Sequence, residues 1–273
     1  MAEYLTLCAK MDGFNASATN VADYQFGIPT WRTELYDTCA TVQTLESYID
    51  LVDSLPGYRN FTPELKSGAD DPVTAQYAKF PAGYTQEDYA RQFVNTFIDK
   101  GIDPQRVWLQ SFNPPDIFLW LKEFPDFGRQ AVYLDESGDT PDTYTAAVAL
   151  LPSLKAQGVN IIAPPINYLL MEAGPGNQSI VPSPYAVAAK AAGLDIIAWT
   201  FERSGPLAQV KAVGQYYYTS VADAVHTDGQ LYEILHILAQ DVGIKGIFSD
   251  WSATVTYYAN CFGLEGPQSA DYM

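Results

Sequence analysis

Hydrophobic residues in this chain fall into short runs that end in polar or aromatic residues, with stretches of helical periodicity between them. The runs predict six buried β-strands, at residues 60–65, 107–112, 130–134, 160–163, 194–199 and 245–248. Apolar positions three and four residues apart predict helices at residues 41–55, 85–100, 115–123, 142–156, 183–192, 229–240 and 252–258. Two local signals support these helices: Thr85 with Asp88 resembles a capping box, and Pro184 suits a first helical turn.

The alternation of strands and helices predicts an α/β fold made of parallel β/α units with right-handed crossovers. The closed form of such a fold is the TIM-type (β/α)8 barrel. We predict an incomplete barrel, because the chain supplies about six of the eight units that closure needs. Residues 1–40 are predicted to be an irregular N-terminal segment, residues 41–263 the partial barrel domain, and residues 264–273 a tail.

Charge restricts the possible partners. The chain carries 32 acidic and 15 basic residues, a formal net charge of −17. This charge repels nucleic acid and anionic lipid surfaces, so neither is predicted as a partner. A small anionic substrate would need a local cationic group or a bound metal ion. No apolar run is long enough to span a membrane, and no protein partner can be inferred.

The three cysteines, Cys8, Cys39 and Cys261, lack the C-x-x-C spacing that is typical of a structural zinc site. Cys8 and Cys39 can pair if the protein is exported, and free buried thiols are the alternative. The sequence leaves both possibilities open.

Binding and catalytic groups of a β/α barrel lie at the carboxyl ends of its strands and in the loops that follow. This rule selects Glu64, Lys66, Gln110, Phe112, Trp199, Glu202, Arg203, Asp250 and Trp251. Glu64 is a carboxylate in a buried run, which is unfavourable unless a cation or a metal ion neutralises it. Its role is therefore either functional or that of an ion-pair partner for Lys66, which points to the same side of the strand.

Several of the other candidates also allow two interpretations. Gln110 places an amide in the barrel mouth or packs at the strand end. Trp199 lines a substrate cleft or belongs to the core. Arg203 holds an anionic group through its fork of donors or pairs with Glu202. Asp250 precedes a helix and is predicted to cap it.

The sequence contains two histidines, and neither lies at the end of a predicted strand. We predict that His226, in a loop beside Asp228, is solvated. We predict that His236, on a helix near apolar residues, is a core histidine whose ring is hydrogen-bonded.

The order and spacing of these segments resemble the glycerophosphodiester phosphodiesterases. The resemblance rests on TLE at residues 44–46, ELK at 64–66, LQSF at 109–112, AWTFER at 198–203, DG at 228–229 and GIFSD at 246–250. It extends from Thr41 to Phe262, which is most of the chain. No single motif is unique to that family, but their order and spacing together are fairly specific.

The resemblance implies a barrel enzyme that hydrolyses glycerophosphodiesters to glycerol 3-phosphate and an alcohol. It implies a divalent cation, calcium or magnesium, held by carboxylates, and two histidines that act as acid and base. Glu64 would be the last metal ligand, Lys66 would face the phosphate, and Trp199 would meet the glycerol. The predicted substrate-binding set is Lys66, Gln110, Phe112, Trp199 and Arg203. Because acidic relatives with few cysteines are often exported, the resemblance also favours a secreted or periplasmic protein.

The sequence departs from the family pattern. The His-Arg-Gly strand, the Glu-x-Asp metal pair and the second His-Asp are missing, and Glu64 alone supplies too few oxygen ligands for a hard cation. We therefore predict a carboxyl-terminal portion of such an enzyme, encoded by a reading frame that was assigned too short, with little or no activity alone. The alternatives are a glycoside hydrolase that uses Glu64 and Glu202 as a carboxylate pair, and a non-catalytic barrel that keeps the binding cleft.

Overall fold

The computed structural model describes residues 2–9, 17, 19–20, 40–66, 80–174 and 179–264. The chain divides into two compact units, Met1–Leu55 and Pro56–Met273. In the first unit, a 3-10 turn at Tyr4–Thr6 precedes β1 (Cys8–Ala9), which pairs antiparallel with β2 (Ala40–Thr41), and α1 (Leu45–Ser54) follows. The predicted domain boundaries at residues 40 and 263 stay predictions.

A capping box sets the start of α1. The Thr44 hydroxyl accepts a hydrogen bond from the backbone N–H of Ser47 at 3.1 Å, and the Thr44 N–H donates to the Ser47 hydroxyl at 3.0 Å. This reciprocal pair satisfies two N–H groups that have no partner within the helix. The helix predicted at residues 41–55 is confirmed, and Thr44 is its cap.

The structure tests the cysteine predictions only in part. Cys261 is a free and exposed thiol. The two possibilities for Cys8 and Cys39 stay predictions, because Cys39 and the side chain of Cys8 lie outside the described residues.

The second unit alternates short strands with helices. Its strands are β3 (Gln110–Ser111), β4 (Val132–Leu134), β5 (Ile161–Ala163), β6 (Leu170–Glu172), β7 (Ile180–Pro182), β8 (Asp195–Ala198) and β9 (Gly246–Ile247). Its α-helices are α2 (Gln86–Asp99), α3 (Pro114–Glu123), α4 (Pro125–Gly128), α5 (Pro141–Ala156), α6 (Ile166–Leu169), α7 (Pro184–Ala191), α8 (Val210–Val213), α9 (Gln230–His236) and α10 (Ser252–Cys261). Helical turns of other types lie at Pro104–Arg106, Leu207–Gln209, Tyr216–Val221 and Ile237–Val242. In the part of the chain described, no helix combines the length and the apolar character that crossing a membrane requires.

Five of these strands form one sheet in the order β3–β4–β5–β8–β9, and each neighbouring pair is parallel. Parallel neighbours need crossover connections, and helices lie between these strands along the chain. The predicted α/β class with a parallel sheet is therefore confirmed. Closure into a TIM-type barrel, with about six of eight units, stays a prediction.

The first predicted strand, residues 60–65, forms isolated bridges instead of a continuous strand. Phe61 pairs in parallel with Val107, and Glu64 pairs in parallel with Gln110. Pro63 lies between these bridges and has no N–H to donate to a sheet, which accounts for the interruption. The bridges nevertheless place Glu64 directly beside β3.

The predicted helices are all found, with small shifts at their ends. The Thr85–Asp88 capping box at the start of α2 is confirmed by reciprocal hydrogen bonds of 3.0 and 3.1 Å. The predicted cap of α10 by Asp250 is wrong, because Trp251 holds the cap position and makes no capping bond. The Asp250 backbone is turned towards Glu202 instead, and its N–H donates to that carboxylate at 2.9 Å.

The antiparallel hairpin of β6 and β7 is absent from the sequence prediction. Leu170 pairs with Pro182, and Glu172 pairs with Ile180. Strands of three residues are too short to show an alternation of apolar and polar positions. The Gly-Pro-Gly at residues 174–176 is the turn signal that could have indicated the hairpin.

A buried cluster on one face of the sheet consists of Trp108, Val132, Leu134, Ile161 and Ala163. Alternate residues of a strand point to the same face, so this face continues at the strand ends to Phe112 and Trp199. Both rings pack against the cluster and remain partly exposed. The core therefore holds these two aromatic rings where their strands end.

Candidate functional site

The carboxyl ends of the sheet strands place several predicted side chains together. Phe112 directly follows β3, and Trp199 directly follows β8. The Lys66 Nζ lies 6.0 Å from the centroid of the Phe112 ring, and the Phe112 and Trp199 ring centroids are 5.7 Å apart. We call Glu64, Lys66, Phe112, Trp199 and Tyr217 the strand-end cluster. Strand ends are where α/β folds bind ligands, so this cluster is the candidate site.

Glu64 and Lys66 form an ion pair with 2.5 Å between Oε1 and Nζ. The Lys66 side chain is 73% exposed and the Glu64 side chain is 27% exposed. An ion pair in such contact with water contributes only about 0–1 kcal/mol, so a ligand can separate the two groups at little cost. The structure thus forms the ion pair that the sequence allowed, while leaving the cation accessible.

Gln110 is buried, and its side-chain amide fastens the bridge segment to β3. Its Nε2 donates to the Thr62 carbonyl at 2.6 Å and to the Thr62 hydroxyl at 2.8 Å. These bonds match the strand-end packing that the sequence offered as one interpretation. Contact between Gln110 and a substrate stays a prediction.

Trp199 is part of an aromatic series that runs across the strand ends. Its Nε1 donates to the Ala163 carbonyl at 2.6 Å, which fixes the orientation of the indole. The Trp199 ring makes edge-to-face contacts with the Phe112 ring and with the Tyr217 ring. The Trp199 and Tyr217 centroids are 5.8 Å apart. Edge-to-face aromatic pairs of this kind contribute about 0.5–1.5 kcal/mol each, so the cluster has a stiff apolar wall.

Glu202 is a buried carboxylate that links the loops after β8 and β9. It is 4% exposed, and its two oxygens accept hydrogen bonds from the Ser249 hydroxyl at 2.8 Å and the Asp250 N–H at 2.9 Å. Both acceptor oxygens are used structurally, which disfavours the proposed carboxylate-pair glycoside hydrolase. Arg203 is exposed, and no described residue forms an ion pair with it, so the predicted Glu202–Arg203 pair is not formed.

Sequence reasoning missed Asp135, which immediately follows β4. It is 1% exposed, and it accepts hydrogen bonds from the Ser137 hydroxyl at 2.6 Å and the Tyr185 hydroxyl at 2.5 Å. Burial, followed by the nearby Asp135 charge, raises the pKa of the Tyr185 phenol well above its usual value. The strand-end rule that selected Glu64 would also have selected Asp135.

His226 and the hydrogen bond of His236 agree with the sequence prediction, whereas His236 is only half buried instead of lying in the core. His226 is exposed. His236 is partly buried, and its Nδ1 lies 3.0 Å from the Tyr258 hydroxyl. Among described residues, no hydrogen bond or ion pair joins either histidine to the strand-end cluster.

The implied calcium or magnesium ion would need several oxygen donors among the described residues. Within the described ranges, no group of three or more histidine, cysteine, aspartate or glutamate side chains could hold a metal ion. Calcium takes six to eight oxygen ligands and magnesium six, and Glu64 supplies a single carboxylate. The described residues alone therefore do not fit a divalent cation, and its binding stays a prediction.

Comparison with known proteins shows a relative that matches most of the chain. The chain is 45% identical over 256 residues to a protein of Arthroderma benhamiae named "Extracellular protein", with 93% of this chain and 100% of the relative covered. No family model matches the chain.

Solved structures that this chain resembles include two phosphodiesterases. One is named as a glycerophosphoryl diester phosphodiesterase from Silicibacter pomeroyi, with a TM-score of 0.51, 18% identity and coverage of 82% of this chain. This chain spans 59% of that structure's length. The other is a glycerophosphodiester phosphodiesterase from Parabacteroides distasonis, with a TM-score of 0.48, 18% identity, and coverage of 90% of this chain and 77% of that one. The first of these structures confirms the predicted resemblance at the level of the fold alone.

Proposed function

This chain belongs to the same family as the extracellular protein of Arthroderma benhamiae, and from that premise we propose that it acts outside the cell on glycerophosphodiesters. The proposed reaction class is hydrolysis to glycerol 3-phosphate and an alcohol. The fold that it shares with a glycerophosphoryl diester phosphodiesterase supports this class. The described residues would bind the substrate, and the chain alone would turn it over weakly or not at all.

The observation that carries the proposal is the composition of the strand-end cluster. It combines one accessible ammonium, one partly exposed carboxylate and an aromatic wall, all at the ends of parallel strands. A phosphate diester of glycerol presents an anion next to a small carbon skeleton. Lys66 offers the anion a charge-assisted hydrogen bond, and the Trp199 and Phe112 rings offer the carbon skeleton an apolar surface.

Two further predicted residues, Arg203 and Glu64, have proposed roles in binding. Arg203 is exposed without an ion-pair partner among described residues, so its guanidinium is available to a phosphate. Glu64 would contribute one ligand to a cation whose other ligands are not among the described residues.

Binding is expected to depend on the Lys66 ammonium. Lys66→Ala should weaken binding of glycerol 3-phosphate by about tenfold, because it removes a charge-assisted bond to the phosphate. Lys211→Ala is the matched control, since Lys211 is also an exposed lysine, 69% exposed, paired with one carboxylate at 2.5 Å. Isothermal titration calorimetry would measure both. If the two variants bind equally well, Lys66 does not hold the phosphate.

Turnover by the chain alone is expected to be weak or absent. Purified 273-residue protein, incubated with glycerophosphodiesters and either calcium or magnesium, should release little or no glycerol 3-phosphate above the background rate. General acid–base groups are needed to protonate the leaving oxygen, and neither histidine is bonded to the strand-end cluster in the described structure. Robust, metal-dependent release would contradict this expectation. If the chain alone is inactive, the same assay on a chain extended by the upstream reading frame would distinguish a fragment of an active enzyme from a non-catalytic binding barrel.

A further inference from the structure

A cavity of about 340 Å³ is formed by side chains of α9 and α10, none of which the proposed function uses. It is lined by Tyr232, Glu233, His236, Tyr257, Tyr258, Cys261 and Phe262. Cavities of about 300 Å³ and more hold small ligands, with mostly apolar and aromatic walls and a few polar groups that orient the ligand. We call this space the α9–α10 cavity and treat it as a second candidate site.

Three of the aromatic rings in this cavity are exposed to solvent. Tyr257 is 63% exposed, Phe262 50% and Tyr232 40%. The Tyr232 and Tyr257 ring centroids are 5.8 Å apart, and the Phe262 ring stacks on the buried Tyr258 ring with centroids 4.5 Å apart. Single exposed apolar side chains are common, but several that line one cavity are typical of a binding surface.

His236 supplies a hydrogen-bond donor to the cavity. The Gln240 Nε2 donates to the Tyr258 hydroxyl at 3.3 Å, and that hydroxyl lies 3.0 Å from the His236 Nδ1. The hydroxyl proton is therefore directed to Nδ1, and the neutral imidazole carries its own proton on Nε2. No described residue accepts a hydrogen bond from Nε2, so this N–H is available to a ligand.

Glu233 and two phenols supply acceptors. The exposed Glu233 carboxylate accepts a bond from the Gln230 Nε2 to Oε2 at 3.4 Å, and Oε1 accepts none from a described residue. The Tyr232 and Tyr257 hydroxyls make no hydrogen bond to a described residue and can donate or accept. The cavity thus combines exposed aromatic surface with at least one unused donor and one unused acceptor.

These features select the class of ligand. The Glu233 carboxylate and the net charge of −17 disfavour an anion. Among the described side chains, no group of three or more histidine, cysteine, aspartate or glutamate residues could hold a metal ion. A simple cation makes no use of the His236 N–H. A sugar ring matches the whole set, because its hydroxyl groups both donate and accept while the C–H bonds of one ring face pack against aromatic rings.

We infer that the α9–α10 cavity binds a neutral carbohydrate. The Tyr257 and Phe262 rings contact one face of a sugar ring, and the hydroxyl groups of that sugar bond to Glu233 and His236. The inference does not depend on the proposed hydrolysis, because no residue of the strand-end cluster lines this cavity.

The direct test titrates cellohexaose, laminarihexaose and chitohexaose into the full chain by calorimetry, with hexaethylene glycol as the control. These oligosaccharides are neutral and β-linked, whereas the glycol has ether and hydroxyl oxygens but no sugar ring. At least one oligosaccharide should bind, and the glycol should not. Binding of none of them, or equal binding of the glycol, would overturn the inference.

Substitutions of exposed tyrosines locate the binding surface. Tyr257→Ala should weaken oligosaccharide binding about fivefold or more, because it removes an exposed ring of the cavity. Tyr257→Phe keeps the ring and should bind within about threefold of the wild type. Tyr48→Ala is the matched control, because Tyr48 is a 41% exposed tyrosine on α1 that does not line the cavity. Thermal melting checks that each variant folds, and equal losses in Tyr257→Ala and Tyr48→Ala would contradict the inference.

Two further measurements exclude other occupants of the cavity. Glu233→Gln keeps an acceptor oxygen and removes the charge, so oligosaccharide binding should stay within about threefold of the wild type. A loss of about tenfold or more would show that the carboxylate charge carries the binding, against a neutral ligand. Sedimentation velocity would reveal a dimer that forms in the wild type but not in Tyr257→Ala. Such a dimer, without oligosaccharide binding, would assign the surface to a second copy of the chain instead. Glycerol 3-phosphate binding and its dependence on Lys66 test the proposed function separately, so either proposal can fail without the other.

Discussion

Replacing Gly128 by alanine is expected to lower the free energy of unfolding by about 3 kcal/mol, at the upper end of the usual cost of overpacking. A Cβ at this position would lie 2.5 Å from the Trp120 carbonyl oxygen and 2.6 Å from the Leu121 nitrogen. Both atoms belong to the backbone of α3, so no side-chain rotation can relieve the contact. Gly128 is therefore required where α4 turns back against α3.

The surroundings of Gly128 leave little room for adjustment. The Trp120 side chain is fully buried, stacks on Phe93 with ring centroids 6.0 Å apart, and donates from Nε1 to the Ala90 carbonyl at 3.0 Å. Moving the Trp120 backbone away from a new methyl group would disturb this packing between α2 and α3. Close-packed interiors transmit such strain instead of absorbing it.

Urea unfolding of Gly128→Ala and of Gly229→Ala would measure the effect against a matched substitution. Gly229 lies at the start of α9, and the nearest atom to its added Cβ is the Thr227 hydroxyl oxygen at 3.9 Å, an ordinary contact. We expect the control to change the free energy of unfolding by less than about 1 kcal/mol. Similar stabilities for the two variants would show that α3 and α4 separate easily at this point.

Raising the pH from about 10 to about 11 is expected to remove roughly 2 kcal/mol of stability through two buried tyrosines. Tyr185 and Tyr218 are fully buried, and their hydroxyls donate to the Asp135 carboxylate and the Phe201 carbonyl. Burial is the largest cause that raises the pKa of each phenol, with Asp135 next for Tyr185 and Glu202 next for Tyr218.

The direction follows from proton binding. Below a pH of about 10, the folded and unfolded chains both keep the phenol protons, and these tyrosines make stability independent of pH. Above that pH the unfolded chain releases the protons while the folded chain retains them, so the unfolded state is favoured. Each retained proton costs about 1 kcal/mol between pH 10 and 11, where the unfolded phenol is only partly ionised, and about 1.4 kcal/mol per pH unit above that until the folded pKa is reached.

Urea midpoints measured at about pH 9, 10 and 11 would give the slope of stability against pH. Tyr218→Phe should reduce the loss of stability between pH 10 and 11 by about 1 kcal/mol, whatever its effect on absolute stability. Tyr257→Phe should leave the slope unchanged, because Tyr257 is 63% exposed. An unchanged slope in Tyr218→Phe would mean that this phenol ionises as easily in the folded protein as in the unfolded chain.

Local patterns were sufficient wherever neighbouring residues decide the conformation. The Thr85–Asp88 capping box and the positions of the helices were predicted because their hydrogen bonds join residues three and four apart. The Asp250 cap was predicted by the same rule and was wrong. A long-range partner, the buried Glu202 carboxylate, binds the Asp250 N–H and turns the chain away from the capping geometry.

The candidate site was likewise predicted in part from local patterns and missed in part where distant residues meet. The strand-end rule selected Glu64, Lys66, Phe112 and Trp199, and the structure brings them into one cluster. Tyr217 was missed, because it lies in the helical turn Tyr216–Val221, far along the chain from the end of β8, and reaches the cluster only through its contact with Trp199. Asp135 could have been found by the same rule, whereas nothing local marks it as the acceptor of the Tyr185 hydroxyl, fifty residues away.

Hydrophobic periodicity and charge thus established the α/β class, the helices, the strand ends and the acidity of this protein. The class, the helices and the strand ends depend on residues that are near one another in the chain, and the acidity depends only on composition. The ion pair of Glu64, the structural use of Gln110 and Glu202, and the hydrogen bond between Tyr185 and Asp135 were decided by the tertiary structure. Those features depend on which loops meet after parallel strands end, and that meeting is fixed by packing between residues that are distant in sequence.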